Sequence, residues 1–302
     1  MGKHLSYVGW LELIRYVLQG MVQFWFAIFP ILTLVINEIN SLCRRFLWSG
    51  KTFSNHSTLV AWNKVCLPWS EGGLGLDIKA KNKCFLAKQL WNIHLKFDSL
   101  WICWVDYFYL PYNSLWSLER LHSSSLLWKS LCSLKDQLVV QLGGISETIA
   151  TLHDWYQGPS SFIANAHEFF RLKGSIVSWH NVVSEQWSLP RYMFILWLVV
   201  LSKLRIYDYV SFLSTDIICV LCNQEDESHD HLFFSCDWSS LLWSHIKHWL
   251  RLNRSISSLS STVRGLSGRS KRLHYRMRRV SLALLVHLIW NERNRRIFEH
   301  VS

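Results

Sequence analysis

The chain is organised around two short runs, Cys219-Val220-Leu221-Cys222 and His231-Leu232-Phe233-Phe234-Ser235-Cys236, which form the pattern C-x2-C-x8-H-x4-C. Zinc prefers four sulfur or imidazole ligands in a tetrahedron, and a C-x2-C turn points two thiolates at one centre. The polar residues between the runs lack hydrophobic periodicity and predict a loop. We therefore expect Cys219, Cys222, His231 and Cys236 to bind one zinc ion.

Three cysteines and one histidine favour a closed structural site, because a catalytic zinc keeps one position open for water. His229 is the alternative ligand; we prefer His231 because it directly precedes the apolar run Leu232-Phe233-Phe234. We expect the other cysteines to be buried thiols that act as small hydrophobic groups: Cys43, Cys66, Cys84, Cys103 and Cys132. No signal peptide is visible, so we expect free thiols and an intracellular protein, nuclear or cytoplasmic.

Length and composition allow two domains with a sizeable core. The chain has 302 residues, 50% of them hydrophobic, and includes 18 tryptophans. The formal net charge is +11. A basic balance favours polyanionic partners, meaning nucleic acid or an acidic membrane surface.

The N-terminal part predicts helices. Residues 10–29 indicate a helix that ends at Pro30, and residues 21–36 are mostly apolar. A membrane span needs about 20 consecutive apolar residues. This run is shorter and is interrupted by Gln23 and Pro30, so a buried helix is preferred and a membrane anchor is the weaker alternative.

Glycines mark two turns. Gly72, Gly73 and Gly75 are not followed by Gly-Lys-Ser/Thr, so they indicate a plain turn before a helix at Ile78–Leu95 and not a phosphate-binding loop. The stretch 143–161 is rich in turn residues and is the predicted domain boundary.

Two helices are predicted on either side of the cysteine cluster. The first begins at Pro190 and presents the Trp197 face; the second is capped by Asp237. The predicted apolar face of the second helix consists of Trp238, Leu241, Leu242, His245 and Trp249. We expect this face to pack on the Trp197 face, with zinc joining the two helices.

The C-terminal part combines a Ser-rich stretch, 251–270, with a basic run. The stretch has no Asp or Glu and predicts an exposed linker. The basic run consists of Arg264, Arg269, Lys271, Arg272, Arg276, Arg278 and Arg279. We expect it to lack acidic partners and to bind RNA or DNA with low sequence specificity, with Arg272, Arg276 and Arg279 in one helical row. A solvated basic linker without a partner is the alternative.

Several stretches resemble one family. Glu227-Ser228-His229-Asp230-His231-Leu232-Phe233-Phe234-Ser235-Cys236 resembles the zinc-binding domain that follows the reverse transcriptase of plant LINE-class (non-LTR) retrotransposons. Leu42–Gly50 and Trp62–Pro68 resemble the region after the polymerase palm, and Ile289–Glu299 resembles the family's C-terminal stretch. The resemblance is close over 179–250. It implies a zinc-binding, nucleic-acid-associated part of an RNA-directed DNA polymerase.

The polymerase chemistry of that family is missing from this sequence. It requires paired Asp residues that hold two divalent cations, and the chain has no Asp-Asp pair. No nucleophile elbow, zincin motif or deaminase signature is present either. We therefore expect no enzymatic activity from the chain alone. The alternative is a polymerase that acts only with a palm supplied by a missing N-terminal part.

These observations predict a mainly α protein: a helical post-palm region, a small zinc-stapled helical domain and a basic C-terminal helix. The predicted ranges are 1–110 for the post-palm region, 111–178 for a helical connector, 179–250 for the zinc-binding domain and 251–302 for the linker and last helix. Zinc is the expected cofactor. We expect neither a small-molecule substrate nor a membrane partner, and the oligomeric state stays open.

Overall fold

A computed structural model describes residues 7–28, 31–49, 58–111, 114–118, 124–158, 161–206, 217–251, 258–266, 268 and 272–299. The fold is mainly α-helical, as the sequence predicts. Within the described ranges, β pairing is limited to an isolated antiparallel bridge between Ile218 and Asp226.

The α-helices are α1 (Tyr7–Glu12), α2 (Gln19–Ile28), α3 (Thr33–Ser49), α4 (Trp62–Cys66), α5 (Ile78–His94), α6 (Leu100–Tyr109), α7 (Leu126–Leu142), α8 (Ile145–Gln157), α9 (Phe162–Phe170), α10 (His180–Val183), α11 (Pro190–Val200), α12 (Asp237–Trp249), α13 (Leu259–Leu266) and α14 (Leu273–Glu299). Two π-helical segments occur, Leu13–Leu18 between α1 and α2 and His231–Ser235 before α12, and a 3-10 turn spans Trp69–Glu71.

The N-terminal helices pack on the rest of the molecule. α1, the π-helical segment and α2 follow one another without a break, so the helix predicted from residue 10 begins at Tyr7. Its predicted end at Pro30 lies outside the described residues. None of the helices in the described ranges is long and apolar enough to cross a bilayer.

The Gly-rich segment is a tight turn, as predicted. Gly72 adopts a left-handed conformation with φ of 84° and caps the 3-10 turn. Its carbonyl oxygen accepts a hydrogen bond from Trp197 Nε1 at 2.9 Å. This hydrogen bond ties the turn to α11, so Gly72 has a structural role that needs no phosphate ligand.

Helix α5 is the central element of the fold. Asp77 caps it by accepting a hydrogen bond from the backbone N–H of Ala80 at 3.1 Å, and the helix ends at His94, close to the predicted Leu95. It packs against α2 and α3 on one side and against α7 and α9 on the other. Because α5 contributes buried residues to both hydrophobic clusters, it links the two parts of the core.

The second cluster contains buried residues of α5 to α9, between Cys84 and Ala166. Gly143, with φ of 90°, ends α7 and lets α8 fold back on it. Buried residues of α8 and of α9, Leu152 and Phe162 among them, belong to this same cluster. The predicted domain ranges remain a prediction.

The first cluster contains the C-terminal helices and is built around α11 and α14. Pro190 is the first residue of α11, as predicted, but the helix is buried on nearly all sides and not only on the Trp197 face. This follows from its almost uninterrupted apolar sequence, since a helix that is hydrophobic all round belongs inside a core.

The predicted packing of α12 is wrong in two respects. Cys236, not Asp237, is the capping position, and Asp237 is the first helical residue. Leu241 and Trp249 are exposed, whereas Ser239 and Trp243 are buried. α12 packs on the π-helical segment and on α14. The reason is that Trp243 Nε1 donates to the carbonyl oxygen of Phe233 at 2.7 Å, which turns that side of the helix inward.

The predicted linker 251–270 contains a helix. Within it, α13 buries Thr262 and Val263 and packs on α14. Leu259, Val263 and Leu266 recur at helical spacing. The linker prediction used the Ser-rich composition of the whole stretch. The packing of α13 depends instead on the positions of these three apolar residues, which form an apolar face on a short helix.

Candidate metal centre

The first half of the centre is a knuckle at Cys219 and Cys222. The backbone N–H of Cys219 donates to the carbonyl oxygen of Glu225, and that of Asn223 donates to the carbonyl oxygen of Cys219, both at 2.8 Å. Asn223 has a φ of 54°, which reverses the chain directly after Cys222. Asn tolerates this left-handed conformation better than most residues. The tight turn therefore brings both sulfurs to one side.

The second half is the π-helical segment that carries His231, followed by Cys236. The backbone N–H of Cys236 donates to the carbonyl oxygen of His231 at 2.8 Å. Cys236 then sits at the N-terminal capping position of α12. Ser239 Oγ donates to the carbonyl oxygen of Leu232 at 2.6 Å and ties the first turn of α12 to the segment.

The four predicted ligand residues converge. Their ligand atoms all lie within 4.8 Å of one another. The sulfurs of Cys219 and Cys236 are 4.0 Å apart, and Cys222 Sγ is 3.3 Å from His231 Nε2. Bonds of about 2.3 Å to sulfur in a tetrahedron place two sulfurs roughly 3.8 Å apart. The donor set and its spacing therefore fit a zinc ion.

Burial supports a closed site. Cys219 and Cys236 are fully buried and His231 is 7% exposed, while Cys222 is partly exposed. His229, the alternative ligand, lies instead in a separate cavity that Trp179 and Arg264 also line. The geometry thus selects His231 for the cluster.

The thiols at the centre have perturbed pKa values. The pKa of Cys236 is lowered, first because its sulfur accepts a hydrogen bond from the Cys219 thiol, and further by the backbone N–H groups of Ser239 and Trp238. The pKa of Cys219 is raised, first because its thiol donates to Cys236 and second by burial. Backbone N–H groups at the start of a helix stabilise a thiolate, which is the form that binds metal.

A carboxylate lies behind the histidine. Glu225 Oε2 lies 2.8 Å from His231 Nδ1. A carboxylate at the second nitrogen of a metal-binding imidazole orients the ring and leaves the other nitrogen for the metal. Here that other nitrogen is Nε2, which faces Cys222 Sγ.

Helix α14 holds the knuckle from outside. Arg296 donates to the carbonyl oxygens of Val220 and Leu221 at 3.2 and 3.0 Å. Arg293 forms a buried two-point ion pair with Glu227, at 2.7 and 3.2 Å. The sequence does not predict these contacts, because no local pattern connects residues 66 or more positions apart.

The remaining cysteines are mostly buried, as expected. Burial raises the pKa of Cys43 to about 11 and that of Cys84 to about 12, and Cys132 is also buried. Cys66 is only partly buried. Cys103 is exposed, so the prediction of a buried thiol is wrong there. It lies on the outer side of α6, where neighbouring apolar residues are exposed as well.

The basic run is not the unpaired row that the sequence predicts. Arg276 and Arg279 both pair with the buried carboxylate of Glu185, at 3.0 and 3.1 Å. Arg276 also stacks on Trp187, 4.3 Å from the ring centre. The expectation that the run lacks acidic partners is therefore wrong for these two residues. Glu185 lies more than ninety positions away, and only tertiary packing brings it to α14.

The other members of the run are placed differently. Arg264 and Arg272 are exposed. Arg278 is half-buried against the Tyr275 ring. Arg269 and Lys271 lie outside the described residues. The nucleic-acid role of the whole run stays a prediction.

Comparison with known proteins agrees with the geometry. Residues 162–243 match the family described as zinc-binding in reverse transcriptase, and this range contains all four cluster residues. A 100-residue segment is 34% identical to the "Putative ribonuclease H protein" of Arabidopsis thaliana. That match covers 33% of this chain and only 16% of the relative. No solved structure matches. Together the two matches support a retrotransposon-related protein with a reverse transcriptase zinc-binding domain.

Proposed function

We propose that the chain is a non-catalytic C-terminal part of a LINE-class retrotransposon reverse transcriptase, which binds zinc structurally and contacts nucleic acid. The observation that carries this proposal is the convergence of Cys219, Cys222, His231 and Cys236 inside the segment that matches the reverse transcriptase zinc-binding family. The family match supports the retrotransposon origin, and the ligand geometry supports the metal.

The role of the metal follows from its four protein ligands. Cys219, Cys222, His231 and Cys236 would hold the zinc and leave no position for a reacting water, so the ion would act as a cross-link. It would join the knuckle to the start of α12, while Arg293 and Arg296 of α14 hold the knuckle on its other side. In such a site the free energy of metal binding contributes to folding.

The non-catalytic assignment rests on the sequence. Two-metal phosphoryl transfer requires clustered carboxylates, and the chain contains no Asp-Asp pair. The alternative is that the chain forms part of an RNA-directed DNA polymerase and works only with a palm supplied by another segment. The weaker membrane-anchor alternative has no support from the helices of the described ranges.

Nucleic-acid contact is supported by charge. The net charge of +11 favours a polyanion, and two exposed arginines lie in the C-terminal part: Arg264 on α13 and Arg272 directly before α14. Contacts to phosphates carry no sequence information, so we expect weak, salt-dependent binding to RNA or DNA.

The zinc assignment is tested by metal analysis of the full chain. We expect one zinc per chain in the wild type and loss of the metal in the Cys222→Ser variant, because three ligands hold a structural zinc poorly. Cys103→Ser is the matched control, since this cysteine is exposed and outside the cluster. His231→Ala should lose the metal, and His229→Ala should keep it.

Full zinc content in Cys222→Ser would refute the proposed site. Loss of the metal in His229→Ala, with the metal kept in His231→Ala, would show that His229 is the histidine ligand.

The zinc-loaded wild type should also give no product in a primer-extension assay with Mg²⁺. Template-dependent product from the purified chain would overturn the non-catalytic assignment.

A further inference from the structure

A groove of about 390 Å³ lies between the N-terminal parts of α3, α5 and α7. Its lining residues precede the cysteine cluster by more than eighty positions in the sequence. Three lysines line it: Lys79 and Lys83 from α5 and Lys129 from α7. Among the described residues of its lining, none is acidic. The groove is therefore a concentration of positive charge outside the basic run that the sequence singles out.

Neither Lys79 nor Lys129 has an ion pair with a described residue, and both are exposed. Lys83 is half-buried and lies over the Phe170 ring at 5.6 Å. Lys79 and Lys83 are one helical turn apart, so their side chains start about 5–6 Å from each other. Like charges at this spacing repel, and an anion between them and Lys129 relieves the repulsion.

The rest of the lining mixes aliphatic and polar side chains. Thr33 and Gln137 add a hydroxyl and an amide group to the walls, whereas the hydroxyl of Ser130 donates to the carbonyl oxygen of Leu126 at 2.9 Å. Asn82 fixes one rim, because its side-chain amide donates to the carbonyl oxygen of Ile31 at 3.1 Å. The first turns of α3 and α7 also form part of the lining, and the positive ends of their dipoles add to the lysine field. The walls thus combine charge with neutral donors, as phosphate oxygens require.

We propose that this groove binds the phosphate backbone of a polynucleotide and forms a second contact site in addition to the arginines near α13 and α14. The inference rests on the proposed function, that the chain contacts nucleic acid. A polymer fits better than an enclosed small ligand, because two of the three lysines are exposed at the surface. The walls offer charge and hydroxyl groups in place of a stacking surface, so the contact is independent of base sequence.

The test compares salt titrations of binding to a short labelled single-stranded RNA and to a DNA duplex, using the zinc-loaded full chain. The groove variant is Lys79→Gln with Lys83→Gln and Lys129→Gln. If each lysine neutralises one phosphate, the slope of log K against log salt should flatten by roughly 2 units for the single strand and roughly 3 for the duplex.

The matched control removes the same net charge elsewhere: Lys88→Gln with Lys203→Gln and Lys247→Gln, none of which lines the groove. We expect its slope to stay within about half a unit of the wild type, because each phosphate contact changes the slope by roughly 0.7–0.9 units. Equal flattening in both triples would overturn the proposal in favour of diffuse charge. An unchanged slope in the groove triple would also overturn it.

Inorganic phosphate carries the same oxygen atoms as a nucleic-acid backbone and is the alternative ligand of the groove. If the groove triple loses binding of inorganic phosphate but keeps the oligonucleotide slope, the polynucleotide assignment is wrong.

If circular dichroism shows that the groove triple misfolds, the double variant of the exposed Lys79 and Lys129 replaces it. Its slope should flatten by two thirds of the amount expected for the triple variant. A wild type that binds no oligonucleotide at all would instead refute the proposed nucleic-acid function itself.

Discussion

At the scale of single residues, the glycines before α5 differ in what they tolerate. A Cβ on Gly73 would lie 2.0 Å from the carbonyl oxygen of Leu67, far inside van der Waals contact. Gly75 has a φ of 74°, but a Cβ there would meet no atom within 4 Å. Gly73 is therefore required by close approach of two backbone segments, and Gly75 only by backbone conformation.

This difference predicts unequal costs for the same substitution. Gly73→Ala should destabilise the protein by about 3 kcal/mol or more, because the backbone of Leu67 must move. Gly75→Ala should cost only about 1–2 kcal/mol, the strain of a left-handed Ala. Urea unfolding of both variants measures the difference. Equal losses would show that the turn relaxes around the added methyl group.

At the scale of secondary-structure elements, α14 is the helix that joins the parts of the first cluster. Near its start, Arg276 and Arg279 pair with Glu185, in the segment between α10 and α11. Near its end, Arg293 pairs with Glu227, which lies between Cys222 and His231 and whose side chain is fully buried. A basic helix thus has a structural role at both ends, which a count of its arginines alone does not reveal.

The buried pair should matter more than a surface pair. Glu227→Gln should cost about 3–5 kcal/mol, because it leaves the Arg293 charge buried without its carboxylate. Lys96→Ala is the control; its exposed pair with Asp106 at 3.2 Å should contribute about 0–1 kcal/mol. Denaturant unfolding of both variants provides the measurement.

A double variant measures the interaction energy between Glu227 and Arg293 apart from their other contacts. Glu227→Leu combined with Arg293→Met should cost less than the sum of the two single changes, since no charge is left buried. Additive costs would mean that the two side chains do not stabilise the fold as a pair.

At the scale of the whole molecule, two hydrophobic clusters share α5, and the metal centre belongs to the first. Cys219, Leu232 and Cys236 are members of that cluster, while α7 and α8 contribute to the second. The fold can therefore lose the metal-dependent part of its core without direct loss of contacts around α7.

Removal of zinc should therefore have an uneven effect. Structural zinc in small domains carries about 10–16 kcal/mol of binding free energy. We expect chelation to lower the melting temperature and to raise amide hydrogen exchange in α11, α12 and the end of α14, where Arg293 and Arg296 hold the knuckle, whereas α7 and α8 keep their protection. Hydrogen exchange with and without chelator measures this. Uniform loss of protection across both clusters would show that the chain unfolds as one cooperative unit.

The sequence alone determined the features that depend on neighbours along the chain. The four cluster residues lie within one short stretch, so ligand type and spacing predict their convergence. Pro190 marks a helix start and Gly72 marks a turn before the predicted helix at Ile78–Leu95, because fixed φ and left-handed backbone are local properties. The mainly helical class follows from the same local patterns.

Only the tertiary structure decided the contacts between distant residues. It paired Arg276 and Arg279 with Glu185, turned Leu241 and Trp249 of α12 outward, and folded part of the predicted linker into α13. It also gathered Lys79 and Lys129 around one groove. Charge and periodicity give no information about which distant element a side chain meets. That choice depends on how whole helices pack, since an ion pair or a buried face forms only after the elements are in place.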